Sequence, residues 1–437
     1  MLGYYVELAV RSLRRNVVLT TLMIAAIGVG IGASMTSLTV LRAMVADPIP
    51  EKSSQLFTPQ IDVWGPQGRY GDPTADEDLL PQLTYRDAMA FMQARRGVRQ
   101  SAMYAIHIDA SPPGARPFAM HGRAVYADFF KMFDVPFHAG NPWGPAEDDG
   151  RARVVILGAQ LAQRLFPQGN ALGNTLILDE RQYRIVGVLE PWNPTPQFYD
   201  VESGGYPEGE QLFIPFSTAI DRQVQVDGPN VCQTPPAPGW FGHLNSECIW
   251  TQFWVELPTA ALARDYKQFL YNYAVEQRQL GRFHWPALVQ LRDVRRWLVL
   301  RHVLPDEVRV STLVACGFLL VCLINVVGLM LAKFTGWSGE IGVRRAMGAT
   351  RSDIFRQCLV ETGVVGAMGG VLGLALTALG LAGDRTIVDA GLQRLAHLDE
   401  ATVAGTLLPA VCATLCSGLY PTWRASRVQP ALQLKAQ

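Results

Sequence analysis

Ser338-Gly-Glu-Ile-Gly-Val-Arg-Arg-Ala-Met-Gly-Ala-Thr-Arg-Ser-Asp-Ile-Phe-Arg-Gln-Cys-Leu-Val-Glu361 is a charged, glycine-punctuated stretch between two apolar runs. Ser338 is suited to cap a short helix in which Glu340 and Arg344 sit one turn apart, acid before base. Gly348 is placed to end that helix by taking a left-handed conformation. Thr350-Arg-Ser-Asp353 then reads as a capping box that opens the next helix. The spacing predicts a short helix roughly parallel to a membrane plane, joined by a tight turn to a long spanning one. A push on the first is then felt by the second.

The flanking runs belong to a wider pattern. A chain of 437 residues with 49% hydrophobic residues, 17% charged residues and no formal net charge is too apolar for an ordinary soluble enzyme. Its apolar excess is concentrated in Asn16–Leu41, Val310–Ala332, Thr362–Gly383 and Ala401–Trp423, each free of charge and long enough to cross a bilayer. The first run exceeds the apolar core of a cleavable signal and no small-residue cleavage pattern closes it, so it reads as a retained anchor. Basic residues set the orientation. Arg11, Arg14 and Arg15 precede the first run, Lys333, Arg344, Arg345, Arg351 and Arg356 lie between the second and third, and Arg424, Arg427 and Lys435 follow the fourth. Asp384, Asp389, Asp399 and Glu400 make the remaining loop acidic. Both termini and the 338–361 stretch are therefore expected in the cytoplasm, with the long insert outside.

This fixes an expected plan: an amphipathic cytoplasmic helix at 1–15, a span at 16–46, an external domain at 47–309, spans at 310–332, 358–383 and 401–423, a cytoplasmic segment at 333–357, an external loop at 384–400 and a tail at 424–437. In fold class it is a helical membrane protein with four spans and a large extracytoplasmic α+β domain. Leu2, Val6, Ala9 and Leu13 along one face suit a helix lying in the interface. Gly28-Val-Gly-Ile-Gly32 superficially matches a dinucleotide fingerprint, but no strand precedes it, and Gly28 and Gly32 read as a close helix-packing face. Gly366 and Gly370, with Gly369 and Gly373, read the same way, and Asn325 reads as a mid-membrane polar residue bonding to a neighbouring helix or subunit.

In the external insert, strand-like runs at Gln60–Trp64, Gln100–Ala105, Arg153–Leu157, Gln182–Leu189 and Ile249–Leu257 alternate with helical patterns at Thr84–Arg95, Gln160–Phe166 and Thr259–Gln279. Asn193–Gly242, rich in Pro and Gly, reads as loops. Asp293–Arg309 reads as a basic helical stalk interrupted near Pro305, and Pro421 as a break or kink near the end of the fourth span. Cys316, Cys322, Cys358, Cys412 and Cys416 fall in or beside spans, whereas Cys232 and Cys248 lie outside and are expected to form a disulfide rather than a metal site.

The Gly-Glu-Ile-Gly-Val-Arg-Arg-Ala-Met-Gly-Ala-Thr run, the Leu-Val-Glu that follows it and the Tyr420-Pro-Thr-Trp-Arg-Ala425 ending resemble the MacB/FtsX-like permeases of ABC transporters. Val125–Gly140, Val154–Phe166, Leu172–Asp179 and Tyr183–Leu189 resemble that family's periplasmic core domain. The resemblance implies a porter-like lobe built from Leu56–Ser101 and Ile249–Leu291, with a mostly β lobe inserted at about 102–245. It also implies a permease in a bacterial inner membrane, worked by a dimer of ABC ATPase subunits and paired with a second permease chain, the same or paralogous. A periplasmic adaptor and an outer-membrane duct are partners of the efflux members. In this likeness Ser338, Glu340, Ile341, Val343, Arg344, Arg345, Met347 and Gly348 form the ATPase-coupling segment, its charged members pairing with the ATPase and Ile341, Val343 and Met347 filling an apolar groove. Gly336-Trp-Ser-Gly339 departs from the charged run that efflux members carry there. The alternative is an FtsX-like signalling or scaffold protein that activates a cell-wall hydrolase or senses an antimicrobial peptide.

No Gly-x-x-x-x-Gly-Lys-Ser/Thr loop, His-Glu-x-x-His motif or nucleophile elbow occurs. The chain is thus expected to be non-catalytic and to bind no cofactor or metal, with ATP and Mg on the partner ATPase. Among the seven histidines, His107, His121 and His138 read as surface or capping residues. The balanced charge offers no case for nucleic acid, and membrane lipid is the remaining expected contact.

Overall fold

The computed structural model describes residues 2–45, 47–66, 79–111, 116–167, 169–203, 209–303, 306–384 and 418–424. It divides into two compact units, 1–45 with 305–437, and 46–304.

The chain opens on α1 (Leu2–Arg15) and α2 (Val17–Val45), separated only by Asn16. The 46–304 unit follows in the order β1 (Leu56–Ile61), β2 (Leu83–Thr84), α3 (Tyr85–Ala94), β3 (Arg99–Ala110), β4 (Phe118–Val125), α4 (Asp128–Met132), β5 (Phe137–Gly140) and α5 (Pro145–Asp149). It continues through β6 (Val154–Leu157), α6 (Ala159–Leu165), β7 (Thr175–Leu178), β8 (Arg181–Leu189), a 3₁₀ segment (Phe198–Ser203), β9 (Leu212–Pro215), α7 (Phe216–Asp221) and α8 (Gly239–Leu244). β10 (Ile249–Glu256), α9 (Ala260–Gln279), β11 (Val289–Asp293) and α10 (Val294–Leu300) complete it.

Its strands form one mixed sheet, in the order β11-β1-β10-β3-β4-β9-β6-β8-β5. The pivot is β3. Arg99–Met103 pairs with Glu256–Gln252 of β10, and Met103–Ala110 pairs with Val125–Phe118 of β4. One strand therefore serves both parts of the domain, and the inserted-lobe boundary expected at residue 102 falls inside it without a break in the sheet. Side chains alternate across this strand. Tyr104, Ile106 and Ile108 enter a core with Phe91 of α3 and Tyr266, Leu270 and Ala274 of α9. Met103 points to the opposite face, into an aromatic core of Phe129, Phe130, Phe133, Phe198, Tyr199 and Trp254. The stretch read as loops, 193–242, contains the 3₁₀ segment, β9, α7 and α8. Leu212-Phe-Ile-Pro215 is too short to show a period, yet as β9 it is buried between β4 and β6.

Cys232 and Cys248 are joined, their Cα atoms 4.2 Å apart. Closing a loop of 16 residues contributes about 3 kcal/mol at most through the unfolded chain. Reduction should therefore lower the unfolding temperature of the full chain, read by tryptophan fluorescence; no shift would mean that the loop's anchors hold without the bond.

α11 (Asp306–Gly336), α12 (Ser338–Ala346) and α13 (Arg351–Asp384) belong to the other unit. Among the described residues, Val17–Arg42, Val308–Gly336 and Arg351–Gly380 are long and apolar enough to cross a membrane. The expected loop 384–400 and fourth span 401–423 lie outside the described residues, except Asp384 and the helical turn 418–424. That turn is helical through Pro421 to Arg424, so the helix does not break there. A Cβ built on Gly418 would lie 2.1 Å from Thr362 of α13, so the turn packs closely on that helix.

α2 packs on α13 through glycine. A Cβ on Gly28 would come within 2.7 Å of Leu372, and one on Gly32 within 2.8 Å of Leu376. From the other side, Gly369 and Gly373 receive Ile27 and Ile31, at 2.5 and 2.6 Å from such a Cβ. Gly366 and Gly370 are buried on the same helix, but the register seats α2 on Gly369 and Gly373. Ser34 ties α2 to α11, donating to the Ala315 carbonyl at 2.9 Å. Gly28→Leu and Gly32→Leu should each cost about 1–3 kcal/mol through overpacking. Gly317→Leu, with nothing within 4 Å of a Cβ, should be near neutral in the same thermal unfolding assay; equal losses at all three positions would contradict this packing.

Candidate functional site

The 338–361 stretch folds as helix, turn, helix. Gly348 has φ +102°, where a side chain would be strained. Thr350 and Asp353 cap reciprocally: the Thr350 N–H donates to the Asp353 carboxylate at 3.0 Å, and the Asp353 N–H donates to the Thr350 hydroxyl at 3.2 Å. Arg344 donates to Glu340 at 2.8 Å, one turn away. The start differs from expectation. Trp337, not Ser338, occupies the N-cap, and Ser338 is the first helical residue. α11 runs to Gly336, which leaves a single residue between two helices and no extended position for a capping serine.

Two sets of contacts hold α12. Glu340 also accepts from Arg15 of α1 at 2.9 Å, and Arg344 donates to Gln357 of α13 at 2.9 Å. Ile341 is buried among Leu13, Phe334, Ile354 and Cys358, so it fills this chain's own core rather than a partner's groove. Val343 and Met347, one turn apart, are 54% and 77% exposed. Arg345 is half-buried. The helix is thus glued by one face to α1, α11 and α13, and shows an apolar pair on another.

Beneath it lies a cluster that the sequence reading did not assemble. The Lys333 ammonium of α11 donates to the Glu361 carboxylate of α13, with both side chains almost fully buried. Ser12 of α1 donates to the same carboxylate at 2.5 Å, and the Lys333 ammonium sits 5.2 Å from the Trp337 ring centroid. The available signal was a charge at the edge of each of two neighbouring apolar runs, Lys333 after Ala332 and Glu361 before Thr362. Such charges pair when they face the bundle interior. Asn325 is exposed on α11 in the single chain.

In the external unit, Arg123 of β4 donates to Asp200 and Glu210, at 2.6 Å each. Burial acts to lower the Arg123 pKa, but the carboxylates of Glu210 and Asp200 outweigh it and hold the guanidinium charged. This fastens the 3₁₀ segment to the middle of the sheet.

A spanning-helix unit with a short, half-exposed helix between two spans, together with a large α+β domain inserted after the first span, defines a class of multi-span membrane proteins with an extracytoplasmic domain. The profile of the MacB-like periplasmic core domain matches residues 20–261 and that of the FtsX-like permease C-terminal matches residues 312–430, and the chain belongs to this family of ABC transporter permeases. It is similar to the macrolide export ATP-binding/permease protein MacB of Escherichia coli K12, 26% identical over 85% of this chain and 52% of the relative. The protein of the same name from Salmonella typhimurium is 26% identical over 59% of this chain and 35% of the relative. The chain thus spans about half the length, or less, of these curated relatives. Similar solved structures include the periplasmic region of MacB from Actinobacillus actinomycetemcomitans, with 13% identity, 57% of this chain, 94% of that chain and TM-score 0.36. Another is the extracellular domain of the ABC-type transporter YknZ from Gram-positive bacteria, with 11% identity, 54% of this chain, 99% of that chain and TM-score 0.35.

Proposed function

We propose that this chain is the permease subunit of a MacB-like ABC transporter in a bacterial inner membrane, with four spans and its large domain in the periplasm. ATP and Mg are held by a separate ATPase subunit, and this chain is non-catalytic. Hydrolysis there is coupled to movement of the external domain, for export or extraction of a periplasmic or membrane substrate. The observation that supports this reading is α12, which offers Val343 and Met347 outward while Arg15, Gln357 and the Ile341 core fix its inner side. An ATPase dimer closing on ATP displaces α12. α1 and α13 are coupled to it through the Arg15–Glu340 ion pair, the Arg344–Gln357 hydrogen bond and the packing of Ile341. α2 leads into the external domain, and α11 leads out of it.

Asn325, exposed among apolar residues of α11, marks a face for a second permease chain, since an amide left in lipid without a partner is costly. Purifying the tagged chain gently from its own membrane and identifying its companions by mass spectrometry tests the assembly. An ATPase with a second permease is the expected core, and an added periplasmic adaptor and outer-membrane duct would assign it to efflux. Recovery without any ATPase in several detergents would overturn the reading, and recovery with a cell-wall hydrolase would replace it by signalling.

A further inference from the structure

We infer that His107, His121 and Asp227 form a binding site for a divalent transition-metal ion of borderline softness, zinc first among them. The antiparallel register of β3 and β4 puts His107 directly opposite His121, with ring centroids 5.1 Å apart. The Asp227 carboxylate lies 2.6 Å from His121 Nδ1. One donor atom from each of the three residues falls within 4.8 Å of the other two.

The backbone keeps this arrangement in place. The Asp227 N–H donates to the Ala105 carbonyl at 2.8 Å, and Val226 bridges to Ile106, so the loop carrying the carboxylate is pinned to β3 beside His107. The His121 N–H donates to the Gln211 side chain at 3.1 Å, and the Gln211 N–H donates back to the His121 carbonyl at 3.3 Å. The three segments that carry the ligands are thus held by hydrogen bonds of their own backbones, in addition to the His121–Asp227 contact.

Two imidazoles and a carboxylate suit zinc, nickel or copper(II), while magnesium and calcium prefer oxygen alone and copper(I) prefers sulfur. Tetrahedral zinc with bonds of about 2.0–2.1 Å places its ligand atoms about 3.3 Å apart. The His121–Asp227 pair must then open by a fraction of an ångström, and side chains that are 69% and 38% exposed can rotate to allow it. Three protein ligands leave a fourth position open to water or to a donor from a partner. Sequence spacing could not show the site, because the histidines become neighbours only through strand register and Asp227 arrives from a distant loop.

The test uses the full chain in detergent, carrying no polyhistidine tag and stripped with a chelator, titrated with Zn²⁺ alone against a chromophoric chelator. One ion per chain of micromolar or tighter affinity is expected. His107→Ala and His121→Ala should each weaken it by at least about tenfold, the least that losing even an outer partner of a metal site costs; Asp227→Asn should weaken it too. His138→Ala should change nothing. Co²⁺ alone should give the visible absorption of a tetrahedral nitrogen–oxygen site, absent in His121→Ala. No stoichiometric binding, or the same affinity in the His107→Ala/His121→Ala double variant, would overturn the inference and leave an ordinary His–Asp pair beside a second ring that meets it edge-on.

Discussion

Lys333→Met in the full chain should lower its stability by about 3–5 kcal/mol, because removing one member of a buried ion pair leaves the other charged and uncompensated. Both side chains are almost wholly buried, and Glu361 would keep only the Ser12 hydroxyl as a partner from this cluster. Glu361→Met strands the ammonium instead, beside the Trp337 ring. The double variant Lys333→Met/Glu361→Met should recover most of the loss, since two apolar side chains of similar volume replace the pair without leaving a buried charge. Thermal unfolding in detergent reads all three. Near-neutral single variants would show that the pair is solvated. A double variant as damaged as the worse single one would show that the pair itself, rather than its charge balance, holds α11 and α13 together.

The second large effect is expected where the chain meets its proposed ATPase. Val343→Glu and Met347→Glu should each weaken ATPase association by about 2 kcal/mol or more, roughly thirtyfold, if these side chains are the central anchors of that interface. Stability should hardly change, because both are exposed and substitutions at exposed positions are usually near neutral. Glu340→Ala, or charge reversal at Arg344 and Arg345, should likewise uncouple ATP turnover from substrate movement while the protein still inserts and folds. The Glu340 ion pairs with Arg15 and Arg344 are partly exposed, and pairs of that kind contribute no more than about 1 kcal/mol each. Normal coupling in these variants, measured as ATP turnover of the reconstituted complex, would remove α12 from the transmission path.

What could be read from the sequence was governed by local rules. The Thr350–Asp353 box, the left-handed Gly348 and the Glu340–Arg344 pair follow from side-chain chemistry within four residues, and all formed. α3 and α9 showed their periods because each is long enough to have one and packs one-sidedly, whereas β10, buried along its whole length, showed only as a strand-like run. The Cys232–Cys248 bond followed from compartment and count. Failures came where tertiary context decided. Ser338 lost its capping role to the near-continuity of α11 and α12, which nothing in its own neighbourhood announces. Ile341 looks like Val343 by type, and only packing against Leu13 and Ile354 separates a core residue from an exposed one. β9 is too short for a pattern and is a strand only because β4 and β6 flank it. Lys333 and Glu361 each read as a plain flanking charge until the bundle closes over them, and His107 meets His121 only through a register that single-sequence periodicity does not specify.

The central claim is that α12 is the surface through which an ATPase moves this protein. It is tested most directly by a photo-activated cross-linking amino acid at Met347, introduced in the full chain in its native membrane and irradiated with and without ATP and vanadate. The account predicts a covalent adduct to an ABC ATPase subunit that changes in yield between the two states, with no such adduct from the same probe at Val299, which is exposed on the external domain. Adducts only to lipid at Met347, or an ATPase adduct indifferent to nucleotide, would contradict it.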